Sequence, residues 1–275
     1  MTATHPSGRG TTGLAFAAFA AILHRDIVVT ARGFVVFAVH AFVQPVLFLF
    51  VFGVVLPATG LAVQGYGALL LPGIVTMTVF FASAQAVMAP LAVDLCHLRE
   101  IDDRLLAPTP VPAIVLEKIA FAALRGVLAA AILFPLAPLV LGGEFQVRAD
   151  SIPLLAGIVV LTAIVSAAGG LVFGVLVPTD QLGLAFAALF TPLVFTGCLQ
   201  YPWSTLDTLP GFQIVTLVNP LTYSAEGLRF AMIPALPDGT RTPTLDIAWA
   251  VAGLIAFTTL FLVTGMRAFH RRAIH

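Results

Sequence analysis

The chain has 275 residues, of which 60% are hydrophobic and only 9% are charged, and its formal net charge is zero. A soluble domain carries roughly 25% charged residues, so this composition excludes an ordinary soluble protein and indicates a protein that crosses a membrane several times. The zero net charge is uninformative about nucleic acid, and no nucleic-acid partner is expected.

The first part of the chain divides into a polar stretch and an amphipathic stretch. Residues 1–13 are expected to form a flexible cytoplasmic tail, and residues 14–275 a single transmembrane domain. Within 14–31 the apolar residues recur at helical spacing, whereas charges interrupt the run, which is typical of a helix lying in the membrane interface. The alternative is a signal peptide, with Arg9 ahead of a short apolar run. We favour the interfacial helix because a long apolar run begins only after Arg32.

Long charge-free stretches predict the membrane spans, since a spanning helix needs about 20 mostly apolar residues. They predict six spans, near 33–57, 67–92, 114–141, 152–177, 182–200 and 246–267. Pro45 falls inside the first span, which membrane helices tolerate. In the fourth span Ser166, Gly170 and Gly174 place a small residue at every fourth position. This row either lets another helix approach closely or reflects ordinary Gly-rich membrane sequence.

An apolar piece at 212–232 is too interrupted to be a seventh span. Asn219-Pro220 divides it, because proline disfavours helical geometry at the residue before it and has no N–H. We expect two short pieces that meet at a bend, in a re-entrant or interfacial position. Glu226 and Arg229 are three residues apart on the second piece, so they can pair on one helical face. We expect them near the outer surface, close to Tyr223.

The distribution of positive charge predicts the orientation. Ten of the 13 Lys and Arg residues fall on one side of a six-span layout, and the other three are Arg148, Arg229 and Arg241. Cytoplasmic segments carry the excess of Lys and Arg, so both termini should be cytoplasmic in the plasma membrane. The Tyr and Trp residues, which prefer the interface, all fall at the predicted outer side: Tyr66, Tyr201, Trp203, Tyr223 and Trp249.

A charged segment lies between the second and third predicted spans. Residues 33–93 contain no Asp, Glu, Lys or Arg, whereas residues 94–118 hold 8 of the chain's 26 charges. A charge is costly within lipid, so this segment should face water. Its apolar residues recur at steps of four, three, three and four, which predicts an amphipathic helix that ends before three closely spaced prolines. Such a helix is suited to docking a soluble partner, although a solvated loop joining two spans is the simpler interpretation.

The sequence lacks the motifs of several chemistries. The only lysine, Lys118, follows Glu117, so no Gly-Lys-Ser/Thr loop is present to hold the phosphates of ATP. Cys96 and Cys198 fall in different regions, so neither a disulfide nor a metal site is expected. An intramembrane enzyme acting on lipid-linked substrates is one alternative, but its best polar candidates, His40, Gln44 and Gln85, are not arranged like a nucleophile and base. A carrier driven by an ion gradient is another alternative, but it lacks intramembrane acids.

Two motifs carry a resemblance to a known family. The run from Arg99 to Pro110, Arg-Glu-Ile-Asp-Asp-Arg-Leu-Leu-Ala-Pro-Thr-Pro, followed by Glu117-Lys118, resembles the cytoplasmic loop of ABC exporter permeases of the second type. The run Asn-Pro-Leu-Thr-Tyr at 219–223 resembles the element before the last span of that family. The span order, the N-terminal amphipathic helix and the late broken segment also match. Ile101 and Asp102 depart from the commonest pattern, which leaves open the identity of the partner but not its class.

The resemblance implies an all-α polytopic membrane protein with six spans, an N-terminal interfacial helix, a cytoplasmic coupling helix and an outer re-entrant segment. The chain would be a permease subunit without an ATPase site, paired with a second copy or a sister permease. Two separate ABC ATPase subunits would bind ATP and Mg, and this chain would hold no cofactor. The coupling role falls on Leu95, Leu98, Arg99, Glu100, Ile101, Asp102, Asp103 and Arg104. The outer re-entrant role falls on Asn219, Pro220, Tyr223, Glu226 and Arg229.

The cargo follows only indirectly from the sequence. The predicted spans carry little charge, which favours an amphipathic or hydrophobic substrate such as a drug, a lipid or a glycolipid over a small ion. The resemblance to exporter permeases implies that the transport is efflux, including multidrug resistance.

Overall fold

The structure, a computed structural model, describes residues 33–63, 65–93, 111–142, 148–234 and 244–274. Within these ranges every regular element is helical, and the predicted all-α class is confirmed. The predicted tail at 1–13, the interfacial helix at 14–31 and the charged helix at 94–106 lie outside the described residues and stay predictions.

Eight α-helices make up the described part of the chain, and their bounds follow the charge-free stretches closely. The helices are α1 Phe34–Phe50, α2 Tyr66–Val93, α3 Val111–Leu141, α4 Ile152–Leu176, α5 Leu182–Thr196, α6 Pro210–Thr216, α7 Pro220–Met232 and α8 Ile247–Ile274. We count with α1 its direct continuation, a π-helical turn, Val51–Val55, and a last helical turn, Leu56–Ala58.

Five of these helices are long and apolar enough to cross a membrane, namely α1, α2, α3, α4 and α8. The protein is therefore a multi-pass membrane protein. Helix α5 covers the fifth predicted span with only 15 residues, fewer than the roughly 20 that a straight crossing needs. The six-span layout stays a prediction at this helix.

Helix α2 is the centre of the bundle. Of its membrane-spanning window 83% is buried within the protein, against 11% for α8 at the periphery. The row of small residues in α4 faces α2: a Cβ at Gly170 would overlap the carbonyl oxygen of Ala84, and one at Gly174 would lie 2.9 Å from that of Met88. The first interpretation of this row is therefore confirmed, since the two backbones meet where a side chain would separate them.

Aromatic side chains attach α5 to the same central helix. The ring of Phe190 lies 4.8 Å from that of Phe80 and 5.3 Å from that of Phe81, measured between centroids. Most other α5 side chains, including Leu184 at 78% exposure, face away from the bundle. Thus α5 joins the core along one aromatic stripe and exposes its other faces to the surroundings.

Candidate functional site

The apolar piece at 212–232 is broken, as its sequence predicts. Helix α6 ends at Thr216, helix α7 begins at Pro220, and Asn219 between them is extended, with φ −98° and ψ 121°. Proline disfavours the helical region for the residue before it, which favours a turn at this position. The prediction of two short helices meeting at a bend is confirmed, and we call residues 210–232 the broken helix pair.

Asn219 connects the bend to the end of α5. Its Oδ1 accepts a hydrogen bond from the backbone N–H of Leu221 at 2.9 Å, which caps the first turn of α7. Its Nδ2 donates to the carbonyl of Leu193 at 2.7 Å and to the hydroxyl of Thr196 at 3.0 Å. The carbonyls of a last helical turn have no partner within their own helix. One asparagine therefore satisfies two helix ends and fixes their relative position.

A fully buried ion pair lies in α7. The Nη1 of Arg229 is 2.6 Å from the Oε1 of Glu226, and both side chains have 0% exposure. The predicted pairing on one helical face is confirmed. Its complete burial was not predicted, because the sequence indicates only that the pair lies near the outer surface, in a re-entrant or interfacial segment.

The hydrogen bonds of the ion pair reach three other parts of the chain, namely α2, the loop between α5 and α6, and the segment before α8. Glu226 accepts from the backbone N–H of Trp203 and from that of Leu245, each at 3.0 Å. Arg229 donates from Nη2 to the carbonyl of Leu199 at 2.9 Å and from Nε to that of Leu69 at 3.4 Å. A buried charge is tolerable when it is paired and its remaining hydrogen-bonding capacity is used, as it is here. We call this arrangement of the two side chains and their four backbone partners the polar hub.

The polar hub depends on a close approach between α2 and the loop after α5. A Cβ on Gly73 of α2 would overlap the carbonyl of Leu199, the same group that accepts from Arg229. At the next turn of the loop, a Cβ on Gly197 would lie 2.7 Å from the carbonyl of Leu193. At these two positions only glycine, which has no Cβ, lets the neighbouring backbone come this close.

The predicted outer aromatic residues gather around this end of the bundle. Tyr66 donates to the carbonyl of Gln200 at 2.7 Å, and Trp203 donates from its indole to that of Gln213 at 3.3 Å. Tyr201 donates to the carbonyl of Phe195 at 2.5 Å, and burial raises the pKa of its phenol to about 12. Tyr201 is therefore a neutral donor at physiological pH. Each polar tip satisfies a carbonyl in a loop or at a helix end, as suits residues that are apolar along most of their length.

Tyr223 packs α7 closely against α8. Its hydroxyl donates to the carbonyl of Leu217 at 2.9 Å, across the bend of the broken helix pair. Its ring occupies the space where a side chain at position 253 would be, because a Cβ on Gly253 would overlap ring carbons. The last helix is thus held at its first turns by Tyr223 and by the Leu245 bond to the polar hub.

The structure brings one of the two predicted site groups together and leaves the other undescribed. Asn219, Pro220, Tyr223, Glu226 and Arg229 form one continuous unit. The predicted coupling residues, Leu95, Leu98 and 99–104, lie outside the described residues. Sequence reasoning missed Gly73 and the backbone carbonyl of Leu199, and no local signal identifies them, because their role arises only where two distant segments meet.

The polar residues of the enzyme alternative offer no catalytic arrangement among the described side chains. Gln44 on α1 is exposed and Gln85 on α2 is half-buried, and neither has a hydrogen-bond partner in the described ranges. Both side chains of the polar hub are engaged in the ion pair and in hydrogen bonds to the backbone. Its geometry is suited to joining helices.

A comparison with known protein families identifies the family to which this chain belongs. The family model of the ABC-2 type transporter matches residues 17–233, which include the bundle up to α7 and the whole broken helix pair. The chain belongs to this family, and the resemblance drawn from its two motifs is confirmed. A search of the curated proteins finds no match.

Family membership defines the general role of the chain. It is an ABC transporter permease, a membrane component of a transport system that is not itself catalytic. Membrane subunits of this family work with ABC ATPase partners in general.

Proposed function

We propose that this chain is the transmembrane subunit of an ATP-driven exporter that moves an amphipathic or hydrophobic substrate across the plasma membrane. The observation that carries the proposal is the family match over residues 17–233. Two copies of the chain, or one copy with a sister permease, would enclose the path. Two separate ATPase subunits would bind ATP and Mg on the cytoplasmic side, where both termini lie.

In this proposal the two predicted site groups act at opposite ends of the bundle. The charged helix at 94–106 receives the movement of the ATPase, with Arg99, Glu100 and Arg104 at the contact. The broken helix pair closes the path at the outer side. The polar hub supports this role, since it ties α7 to α2, to the α5–α6 loop and to the start of α8 through side chains that have no exposure. A rigid joint of this kind transmits a displacement instead of absorbing it.

Co-purification with a candidate ABC ATPase tests the proposal. The chain is expressed with and without an ATPase subunit, reconstituted in lipid nanodiscs, and assayed for ATP hydrolysis in the presence of drug, lipid and glycolipid amphiphiles. We expect hydrolysis only with the ATPase and stimulation by at least one amphiphile. Specific hydrolysis by the chain alone would contradict the proposal.

A further inference from the structure

Helix α3 carries a cation well inside its membrane-spanning segment. The span runs from Val115 to Leu141, and Arg125, which the charge count assigns to the cytoplasmic side, lies ten residues after its beginning. At 1.5 Å per residue, Arg125 is about 15 Å from Val115 along the helix axis and about 24 Å from Leu141. Since the hydrocarbon layer is about 30 Å thick, this guanidinium lies at a depth where ionised groups are rare.

Two aromatic rings contact this cation, but they do not balance its charge. The guanidinium carbon of Arg125 lies 4.7 Å from the ring centroid of Phe37 on α1 and 6.0 Å from that of Phe121. Its Nε is buried and has no hydrogen-bond partner, and within the described ranges no carboxylate lies within ion-pair distance of it. The rings attract the cation through their negative faces, but they accept none of its N–H groups in conventional hydrogen bonds.

Arg229, which is fully buried, shows how this protein compensates the charge of a guanidinium. Arg229 has a carboxylate at 2.6 Å and two backbone carbonyls as acceptors. Arg125 has none of these, and it is half-buried, so part of its guanidinium remains accessible. A charge held at membrane depth with unused donors marks a place where an acceptor arrives from outside the bundle.

We propose that Arg125 binds the anionic headgroup, a phosphate or a carboxylate, of an acyl-chain amphiphile at the place where α1 and α3 meet. Guanidinium is suited to this task because its N–H fork matches both oxyanions. Leu128, one turn further along α3 and 47% exposed, offers an apolar surface for the chain of the same molecule. This inference rests on the proposed function for its transport meaning and narrows the substrate class to anionic amphiphiles.

Photolabelling of the intact chain tests the site. The chain is placed in phosphatidylcholine nanodiscs without ATPase or nucleotide and exposed to dodecyl phosphate that carries a diazirine in its alkyl chain. A probe with the same chain and a neutral maltoside headgroup serves as the control. We expect the anionic probe to label peptides containing Phe37 and residues 121–128 roughly tenfold more than the neutral probe, the discrimination expected for a hydrogen-bonded charge.

Variants connect the labelling to the guanidinium. Arg125→Gln should reduce labelling by the anionic probe to that of the neutral probe, whereas Arg125→Lys should retain part of it. Arg267→Gln, which removes an exposed cation at the far end of α8, should leave it unchanged. Equal labelling of the unmodified chain by both probes would overturn the proposal and needs no variant to fold. Unchanged labelling in a folded Arg125→Gln would overturn it equally.

Competition identifies the source of the headgroup. Suppression of labelling by phosphatidylglycerol in the disc would support the site and assign it to a bilayer lipid, whereas persistence of labelling would support it and assign it to an added amphiphile. Suppression by inorganic phosphate alone would overturn the amphiphile class. Because no ATPase is present, failure here would leave the ATP-driven function standing, and failure of the ATPase assay would leave this site standing.

Discussion

The Glu226 carboxylate and the Arg229 guanidinium are 2.6 Å apart in α7, and neither has any solvent exposure. Removing one partner of such a pair leaves an uncompensated buried charge, which typically costs about 3–5 kcal/mol. We therefore expect Glu226→Gln to lower the thermal midpoint of the detergent-solubilised protein strongly, as measured by the loss of the monodisperse elution peak after heating. The matched control is Asp150→Asn, which breaks the partly exposed Arg148–Asp150 pair and should cost less than about 1 kcal/mol.

Exchanging the two charges should not restore stability. The carboxylate of Glu226 accepts from two backbone N–H groups, and the guanidinium of Arg229 donates to two backbone carbonyls. In Glu226→Arg/Arg229→Glu the cation would face N–H groups and the carboxylate would face carbonyls. We expect the double variant to be at least as unstable as either single variant in the same heating assay. Recovery to the stability of the unmodified chain would show that the pair alone matters and that its backbone partners do not.

Gly73 should tolerate no side chain. In Gly73→Ala the new Cβ would overlap the carbonyl oxygen of Leu199, so α2 and the loop must separate and the Arg229 bond to that carbonyl must lengthen. Gly157→Ala is the control, because a Cβ there meets no atom within 4 Å. At this interior position of α4 alanine should be neutral or stabilising by roughly 0.5–1 kcal/mol. Comparable thermal midpoints for the two variants would contradict the close approach.

The bend of the broken helix pair should be necessary for export but not for membrane insertion. Pro220→Ala removes the restriction on Asn219 and should allow the segment to straighten, which impairs export. Asn219→Ala should also destabilise the bend, by about 1 kcal/mol for the lost cap and by more for the lost contact with Leu193. The export of an amphiphile is measured for both variants in proteoliposomes that contain the ATPase. Full export by both variants at normal expression would contradict the proposed outer closure.

Charge reversal at Glu100 should weaken coupling to the ATPase. A solvated surface charge usually changes stability by less than about 0.5 kcal/mol, whereas like charges facing each other in an interface can cost several kcal/mol. Glu100→Arg should therefore insert and fold normally but retain less ATPase in pull-down experiments. Asp180→Arg, at an exposed turn between α4 and α5, is the control and should retain ATPase normally. Normal association and transport by Glu100→Arg would favour a simple connecting loop at 94–106.

The predicted orientation can be tested with single cysteines in whole cells. Gln146→Cys should react with an impermeant thiol reagent, whereas Asp103→Cys should not, because the excess of Lys and Arg assigns residue 103 to the cytoplasm. Cys198 is buried and should not react with the reagent, so only Cys96 needs prior replacement by serine. The reverse labelling pattern would invert the topology.

The helices and the break at Asn219-Pro220 could be predicted from sequence because each depends on local chemistry. Apolar length determines which segments can reside in lipid, and proline disfavours helical geometry at the residue before it. The spacing of Glu226 and Arg229 likewise predicts their pairing, since residues three apart share a helical face.

Only the tertiary structure decided which of these residues become buried and which groups contact them. Nothing in the spacing of Glu226 and Arg229 indicates that the N–H groups of Trp203 and Leu245 and the carbonyls of Leu69 and Leu199 will surround the pair. Nor does the sequence distinguish Gly73, where an added Cβ would overlap a loop carbonyl, from Gly157, where an added Cβ would meet no atom within 4 Å. By itself the sequence determined an all-helical membrane protein of the ABC-2 type with a break before its last helix. The contacts that make that break a rigid joint arise between segments far apart along the chain, where local propensity carries no information.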